Sequence, residues 1–382
     1  MEYIDTFFDD WRDRGHRILR DSLRHALGER APWAADCVEV VDSCDPVTVS
    51  ALLGPDPRIS AEQCVWGSLS PRQRPRQCPV RSFSDGRVLL PGLGFITGVP
   101  PDAALKLIQH DGNLAIHGHA DAGFEPLQAI APGVSATFYP HRHPPLRCFL
   151  ELRGPHFDEV EISGPTAMNK AALARAWALI AEAWPAQSAE LERDLRGVVV
   201  LRHPKVASMA ALGIHGTVFF STLGPEGPLY FVEELVHQTG HVTFSKVIMD
   251  WQGFLAVPYD TPMTLLTGDE RDNRSFGDAF HGNYTLVRML QTFAKLRALD
   301  LAPTLRHELR GRTALALLRL RLGLRQIEHP RLYTARGLVI HRRLAQAWTA
   351  LDRELGALID ECDLDGQPYV FDPTLFVARN PD

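Results

Sequence analysis

Two histidines four residues apart, His237 and His241, are the residues of this sequence best placed to carry chemistry. They lie in Val236-His-Gln-Thr-Gly-His241, within a mostly apolar stretch that predicts a helix over about 228–250. Residues four apart on a helix share one face, so both imidazoles can reach a single ion. Neutral imidazole binds zinc, iron, copper and nickel ions well. The spacing therefore predicts a metal centre on this helix, with Gly240 leaving room beside the ion.

Gln238 follows His237 at the position where His-Glu-x-x-His zinc peptidases carry the glutamate that acts as general base. A glutamine amide cannot take up a proton, so hydrolysis is disfavoured unless Glu233 or Glu234 supplies the base from one turn upstream. We therefore expect Gln238 and Glu234 to be the catalytic side chains beside the ion. Chemistry that needs an open metal position and no such base is favoured, and oxygenation by non-haem Fe(II) is the main example.

A third metal ligand is expected on the next strongly predicted helix, over 276–299. Zinc peptidases of one large group place a glutamate on such a following helix, but this helix carries none. His281, near the start of the helix, is the expected third ligand. Asp278, one turn earlier, is the alternative.

Residues near this helix are candidates for binding an acidic co-substrate. Arg288 lies on the same face as His281, because seven residues make about two helical turns, and a guanidinium can bind a carboxylate with two parallel hydrogen bonds. Tyr284, between the two, is a further candidate for co-substrate binding. Arg271 and Arg274, in the loop before the helix, compete with Arg288 for this role.

Residues 198–299 resemble the HExxH-type, 2-oxoglutarate-dependent peptide β-hydroxylases, which modify ribosomally made peptides. The resemblance rests on Gly216-Thr-Val-Phe-Phe-Ser221, on Phe231-Val-Glu-Glu-Leu-Val-His-Gln-Thr-Gly-His241 and on Phe280-His-Gly-Asn-Tyr284. A helix predicted over 334–361 is similar to the C-terminal helix of that family. The resemblance thus covers about the last half of the chain.

The resemblance implies Fe(II), 2-oxoglutarate and O2, with hydroxylation of a β-carbon in a peptide or small-protein substrate. It implies that His237 and His241 hold the iron, with His281 as the third ligand, and that an arginine anchors 2-oxoglutarate. Gln238 departs from the glutamate of the family motif. The glutamate is therefore either dispensable for oxygenation, or the chain is a catalytically degenerate domain that binds peptide. The zinc hydrolase described above is the remaining alternative.

The composition is that of a globular protein with a large core. The chain has 382 residues, 45% of them hydrophobic and 23% charged, and its net charge of -6 gives no reason to expect a nucleic-acid partner. No run of about 18 apolar residues and no signal peptide is present, so we expect a cytoplasmic protein that does not enter the membrane. The six cysteines form no Cys-x-x-Cys pair, which argues against a zinc knuckle. The oligomeric state stays open.

One predicted helix, over 304–327, carries a run of arginines. Such a run is most often a solvated face, and the alternative is a docking surface for an acidic leader peptide. Its members are Arg306, Arg310, Arg312, Arg319, Arg321 and Arg325.

The pattern of predicted elements indicates an α+β fold, with a β-rich N-terminal half and a mostly helical C-terminal half resembling a zinc-peptidase core. Residues 1–164 are expected to form an N-terminal helix and a β-rich region, and residues 165–382 the metal-binding helical domain. Residues 70–78 are expected to be a loop. A strand near 214–222 is expected to border the site, where a peptide can add as an extra strand.

Overall fold

The computed structural model describes residues 7–31, 33, 45–53, 59–110, 113–143, 146, 150 and 159–381. A strand that the apolar run at 148–152 predicts lies largely outside these residues, as do the first residues of the predicted N-terminal helix. Within them the chain is α+β, as predicted.

The helices follow the predicted order closely in the C-terminal half. Their bounds are α1 Asp9–Arg30, α2 Pro46–Leu53, α3 Ala61–Ser68, α4 Ala167–Ala183, α5 Pro185–Asp194, α6 Pro228–Val247, α7 Met263–Thr267, α8 Phe276–Leu296, α9 Pro303–Gln326, α10 Ala335–Leu355, α11 Ala357–Glu361 and α12 Pro373–Arg379. None of the helices in the described ranges is long and apolar enough to cross a membrane.

The strands of the described residues are short, and all of them lie before residue 222. Their bounds are β1 Gln77–Arg81, β2 Val88–Leu90, β3 Gly94–Thr97, β4 Ala104–His110, β5 Asn113–Ile116, β6 Gly123–Pro126, β7 Gln128–Ala129, β8 Thr137–Phe138, β9 Glu161–Ser163, β10 Gly197–Arg202, β11 Met209–Ala210 and β12 Thr217–Ser221. The loop predicted over 70–78 is wrong at its end, because residues 77 and 78 already belong to β1. Strand β1 pairs antiparallel with β4, and its alternate side chains are buried.

Contacts between residues divide the chain into two compact units, each built from separated segments. The first unit contains residues 1–15, 175–191 and 227–382, and the second contains residues 16–174 and 192–226. The division predicted after residue 164 follows the order of the sequence, whereas these contacts group segments that lie far apart along it.

The second unit contains three small sheets. Two are three-stranded, with the orders β1-β4-β5 and β2-β3-β6, and the third has the order β11-β12-β10-β8-β7 with β9 also paired to β10. Strand β10 is parallel to both β8 and β12 and is buried from residue 197 to 201, which explains its unbroken apolar sequence. Strand β12 has a partner on each side. Strand β11 pairs only with Val218 and Phe219 of β12, and the addition of a peptide beside β12 stays a prediction.

The first unit is a group of packed helices with α6 and α8 at its centre. Helix α6 begins after Gly227 with Pro228 in its first turn, where the missing N–H of proline costs nothing. Helix α8 begins with a capping box: the Ser275 hydroxyl accepts from the Asp278 N–H at 3.0 Å, and the Asp278 carboxylate accepts from the Ser275 N–H at 3.3 Å. Helices α6 and α9 both pack on α8. These caps and contacts fix the two helices on which the predicted ligands lie.

Candidate metal centre

Helix α6 is enclosed by protein on almost every side. Between residues 229 and 248 every residue is buried except His237, His241 and Ser245, which keep partial exposure. These three are spaced by four residues, so they lie along one face of the helix. The predicted ligand pair is thus the part of this helix that solvent can reach.

Helix α8 opens to solvent beside its own predicted ligand. From residue 276 to 293 only Asp278 and Gly282 escape burial, and they flank His281, which is 7% exposed. A side chain built at Gly282 would meet open space. We call the part-exposed residues of the two helices, together with His281, the histidine face: His237, His241, Ser245, Asp278, His281 and Gly282.

The three imidazole rings are neighbours. The ring centroids of His237 and His241 are 5.1 Å apart with 29° between the planes, and those of His241 and His281 are 5.6 Å apart with 16° between the planes. The Nδ1 atoms of His241 and His281 are 3.5 Å apart. Phe244 packs edge-to-face on His281 at 4.9 Å, and Tyr259 does so at 5.9 Å. The structure therefore places the ring of His241 beside those of both His237 and His281, and two aromatic rings pack on His281.

Gly277 makes room for one of these two aromatic rings. A side chain at this position would collide with the ring of Tyr259. Gly277 lies in the first turn of α8, four residues before His281. Because it has no side chain, Tyr259 can lie close to the helix there.

Burial lowers the pKa of all three imidazoles. The pKa of His237 lies well below its usual range, chiefly because of burial and then because of the charges of His241 and Arg319. Burial and His241 likewise lower the pKa of His281. Burial lowers the pKa of His241 to about 4, against the opposing effect of Asp278. Some solvent reaches His237 and His241, yet most of each ring is enclosed by protein. At neutral pH all three rings are therefore uncharged, which is the form that binds metal ions.

The donor chemistry and one distance fit a divalent metal ion. Two nitrogens that each lie about 2.0–2.1 Å from one tetrahedral ion are about 3.3 Å apart, close to the 3.5 Å between the Nδ1 atoms of His241 and His281. His237 supplies the adjacent third imidazole. Within the part of the chain that the structure describes, no group of three or more His, Cys, Asp and Glu side chains has the spacing of a complete site.

Gln238 and Glu234 form a buried pair next to the histidines. The Gln238 Nε2 donates a hydrogen bond to the Glu234 Oε2 at 2.9 Å. The Gln238 Oε1 is buried and has no hydrogen-bond partner among the described residues. The glutamine thus holds the carboxylate one turn upstream and keeps a buried acceptor that a bound water or ligand can use.

Glu233 is occupied elsewhere. Its carboxylate accepts a hydrogen bond from Arg312 of α9 at 2.6 Å, and the same guanidinium binds Glu308 at 2.7 Å. Burial acts to lower the pKa of Arg312, but the two carboxylates outweigh it and raise that pKa above its ordinary value. Glu233 and Glu234 were both considered as bases. Glu233 is bound by Arg312, whereas Glu234 is bound by Gln238, which directly follows His237 in the sequence.

Gly240 brings the two ligand helices together and does not leave space beside an ion, so that part of the prediction is wrong. A Cβ built on Gly240 would lie 3.1 Å from the Thr285 Cγ2 of α8. The position is filled by Thr285, which is fully buried. The missing side chain thus allows the close approach of α6 and α8 that places His241 near His281.

The structure places Arg288 in a buried network. Its guanidinium, 2% exposed, donates to Gln187 and to Glu190, the latter at 3.3 Å, and lies 4.6 Å from the ring of Trp184. A co-substrate carboxylate would compete with Glu190 for the same guanidinium. These contacts point to a structural link between α8 and α5.

The other predicted co-substrate residues also have partners. Arg274 forms two hydrogen bonds to Asp272, at 2.8 and 2.7 Å, and Arg271 binds Asp269 in the same manner. Tyr284 is buried and stacks on Phe244 at 4.5 Å. Binding of 2-oxoglutarate by any of them stays a prediction.

One residue of the site was not singled out from the sequence, and another was named only as a member of the arginine run. Ser245 continues the open face of α6, a position that the spacing of four from His241 could have indicated. The charge of Arg319, on α9, contributes to lowering the pKa of His237. The sequence shows that Arg319 lies seven residues after Arg312, but it does not show which of the two arginines has carboxylate partners.

A separate hollow of about 440 Å³ lies in the second unit. Small apolar residues of β7, of the turn after it and of α4 line it, with Lys170 as its charged side chain. It contains no histidine, cysteine or carboxylate and is not a metal centre.

Comparisons of the sequence with known proteins do not identify a family for this chain. A scan of the sequence against protein families finds no match, and no curated protein matches it. The chemistry of the site is therefore argued from its residues.

Proposed function

We propose that the chain is an Fe(II)- and 2-oxoglutarate-dependent oxygenase that hydroxylates a β-carbon in a ribosomally made peptide. The observation that supports this function is the set of three uncharged, neighbouring imidazoles on the histidine face. We also propose that α6 and α8 correspond to the motif helix and the following helix of zinc peptidases. The proposed site of action is the cytoplasm.

In this proposal His237, His241 and His281 hold the iron, which activates O2 at the expense of 2-oxoglutarate when bound. Gln238 takes no proton from water, and its amide keeps the Glu234 carboxylate in place. The two aromatic rings packed on His281 limit access of water to the ligands. Substrate therefore approaches from the part-exposed side of α6 and α8.

The test is anaerobic addition of Fe(II) and then 2-oxoglutarate to purified metal-free protein. We expect a weak visible charge-transfer band in the wild type and its loss in His237→Ala and in His241→Ala, because each variant removes one imidazole. His329→Gln is the matched control, since His329 is an exposed histidine of the same unit outside the histidine face. Circular dichroism of each variant checks that the helices remain folded.

Other outcomes lead to the alternatives. Purified protein that holds zinc and cleaves peptide bonds would overturn the oxygenase, and loss of cleavage in Glu234→Gln would then identify the base. Absence of bound metal, with peptide binding retained, would indicate the degenerate binding domain.

A further inference from the structure

The hollow of about 440 Å³ in the second unit lies between one face of α4 and the segment that runs from β7 into the following turn. Residues 129–132 form one side of it, and Ala167, Lys170, Ala171 and Ala174 form the other. Pockets that bind small molecules usually have volumes of about 300–1,000 Å³ and mostly apolar walls with a few polar groups. This hollow has the volume and the composition of such a pocket.

The helix side of the hollow is a face of α4 without large side chains. Ala167, Ala171 and Ala174 are spaced by four and three residues, so they lie along one face over about 10 Å of the helix axis. Ala167 and Ala171 are exposed to solvent, where a helix usually carries polar residues. Met168, which is 64% exposed, borders the same face. The face therefore leaves apolar surface open that a ligand with an apolar chain can cover.

Hydrogen bonds hold both sides of the hollow in place. The Ile130 N–H donates to the Ala136 carbonyl oxygen at 3.0 Å, across the turn that follows β7. In the first turn of α4, the buried Asn169 side chain donates to the Gly224 carbonyl oxygen at 3.0 Å and accepts from the Glu226 N–H at 2.8 Å. Both sides are therefore fixed by contacts within the unit, so that little ordering of the chain accompanies binding.

Lys170 gives the hollow a single positive charge. Its half-buried ammonium donates to the Gln128 Oε1, a neutral acceptor, at 3.1 Å. No carboxylate of the residues that the structure describes lies within ion-pair distance of this ammonium. The stem of a lysine can cover apolar surface while its charged end stays near water. The hollow therefore complements a ligand that has one anionic end and an apolar chain.

We propose that this hollow binds the free anion of a medium-chain fatty acid, with the carboxylate on Lys170 and the alkyl chain along the alanine face of α4. Each bond of an extended chain advances it by about 1.2 Å, so the length of this face matches a chain of about eight carbons. One ammonium matches the single charge of a carboxylate. The inference does not rest on the proposed function, because none of these residues belongs to the histidine face.

The test is calorimetric titration of the full chain with octanoate, hexanoate and butanoate, and with octanol, which has the same chain as octanoate and no charge. We expect octanoate to bind most tightly, and each methylene removed from the acid to weaken binding by up to about fourfold, because less apolar surface is covered. Binding of octanoate that is no tighter than that of butanoate would show that the apolar face is not used, and would overturn the inference.

Two variants locate the ligand. Lys170→Gln should weaken the binding of octanoate by about two- to fivefold, the range of a partly exposed ion pair, and leave that of octanol unchanged. Ala171→Leu fills the hollow and should abolish the binding of both. Lys106→Gln and Ala120→Leu, at exposed positions of the same unit, are the matched controls and should bind as the wild type does.

Three results would overturn the inference: no binding of octanoate to the wild type, equal binding to Ala171→Leu, or an equal effect of Lys170→Gln on octanoate and octanol. Circular dichroism checks that each variant is folded, and Ala174→Leu fills the same hollow if Ala171→Leu does not fold. No metal ion is added in these titrations, so their result is separate from that of the oxygenase test.

Discussion

At the scale of single residues, the hydrogen bond between Gln238 and Glu234 distinguishes this site from that of a peptidase. The Gln238 amide donates a hydrogen bond to the Glu234 carboxylate one helical turn away, whereas two carboxylates there would repel each other. The presence of glutamine is readable from the sequence. That its amide points toward Glu234 is not, because the rotamer depends on the packing around both side chains.

Gln238→Glu is expected to lower the free energy of unfolding by about 1–3 kcal/mol, since it replaces a buried hydrogen bond by like charges. Urea unfolding measures the change. The double variant Glu234→Gln/Gln238→Glu restores an amide–carboxylate pair in the opposite direction and should recover part of the loss. Additive losses in the double variant would show that the two side chains are not coupled.

At the scale of helices, glycines set how closely the ligand-bearing elements approach their neighbours. Gly15 of α1 lies against the backbone of Lys246 in the last turn of α6, where a side chain would collide with the carbonyl. Gly282 of α8 faces open space. The same substitution should therefore have opposite effects at the two positions.

Gly15→Ala is expected to destabilise the protein by about 1–3 kcal/mol, because α1 must move away from α6. Gly282→Ala should stabilise it by up to about 1 kcal/mol, through the higher helix propensity of alanine. Thermal unfolding followed by circular dichroism compares the two variants. A loss of stability in Gly282→Ala would contradict the open space found beside that residue.

The helices were more predictable than their contacts. Apolar periodicity placed α6 and α8 within a few residues of their bounds, because that pattern is local. Which arginine is neutralised and which is not depends on residues far away in sequence, such as Glu190 for Arg288. Strand β4, with polar residues among its apolar ones, shows no clear alternation and was missed.

At the scale of the whole molecule, a buried histidine makes the stability of the second unit depend on pH. Burial, and then the nearby His141, lower the pKa of His143 to about 3. Neither ring nitrogen of His143 has a hydrogen-bond partner among the described residues, and Phe95 and Tyr139 pack around the ring. The folded chain therefore resists a proton that the unfolded chain accepts at about pH 6.5.

Stability should be constant with respect to this group above about pH 6.5 and fall as the pH is lowered toward 3. In that window the unfolded state binds more protons than the folded state. His143→Leu removes the group and should flatten the pH dependence of the free energy of unfolding over this range. His117→Gln, at an exposed histidine of the same unit, should leave the slope unchanged. An equal slope in His143→Leu and the wild type would contradict this origin.

The partial exposure of His237 and His241 has a chemical consequence of its own. An uncharged imidazole is a nucleophile, and an ordinary surface histidine loses that reactivity as it takes up a proton near pH 6. Because burial keeps these two rings neutral while solvent still reaches them, acylating reagents should modify them in mildly acidic solution. The open stripe of α6 can thus be mapped by its reactivity in the metal-free protein.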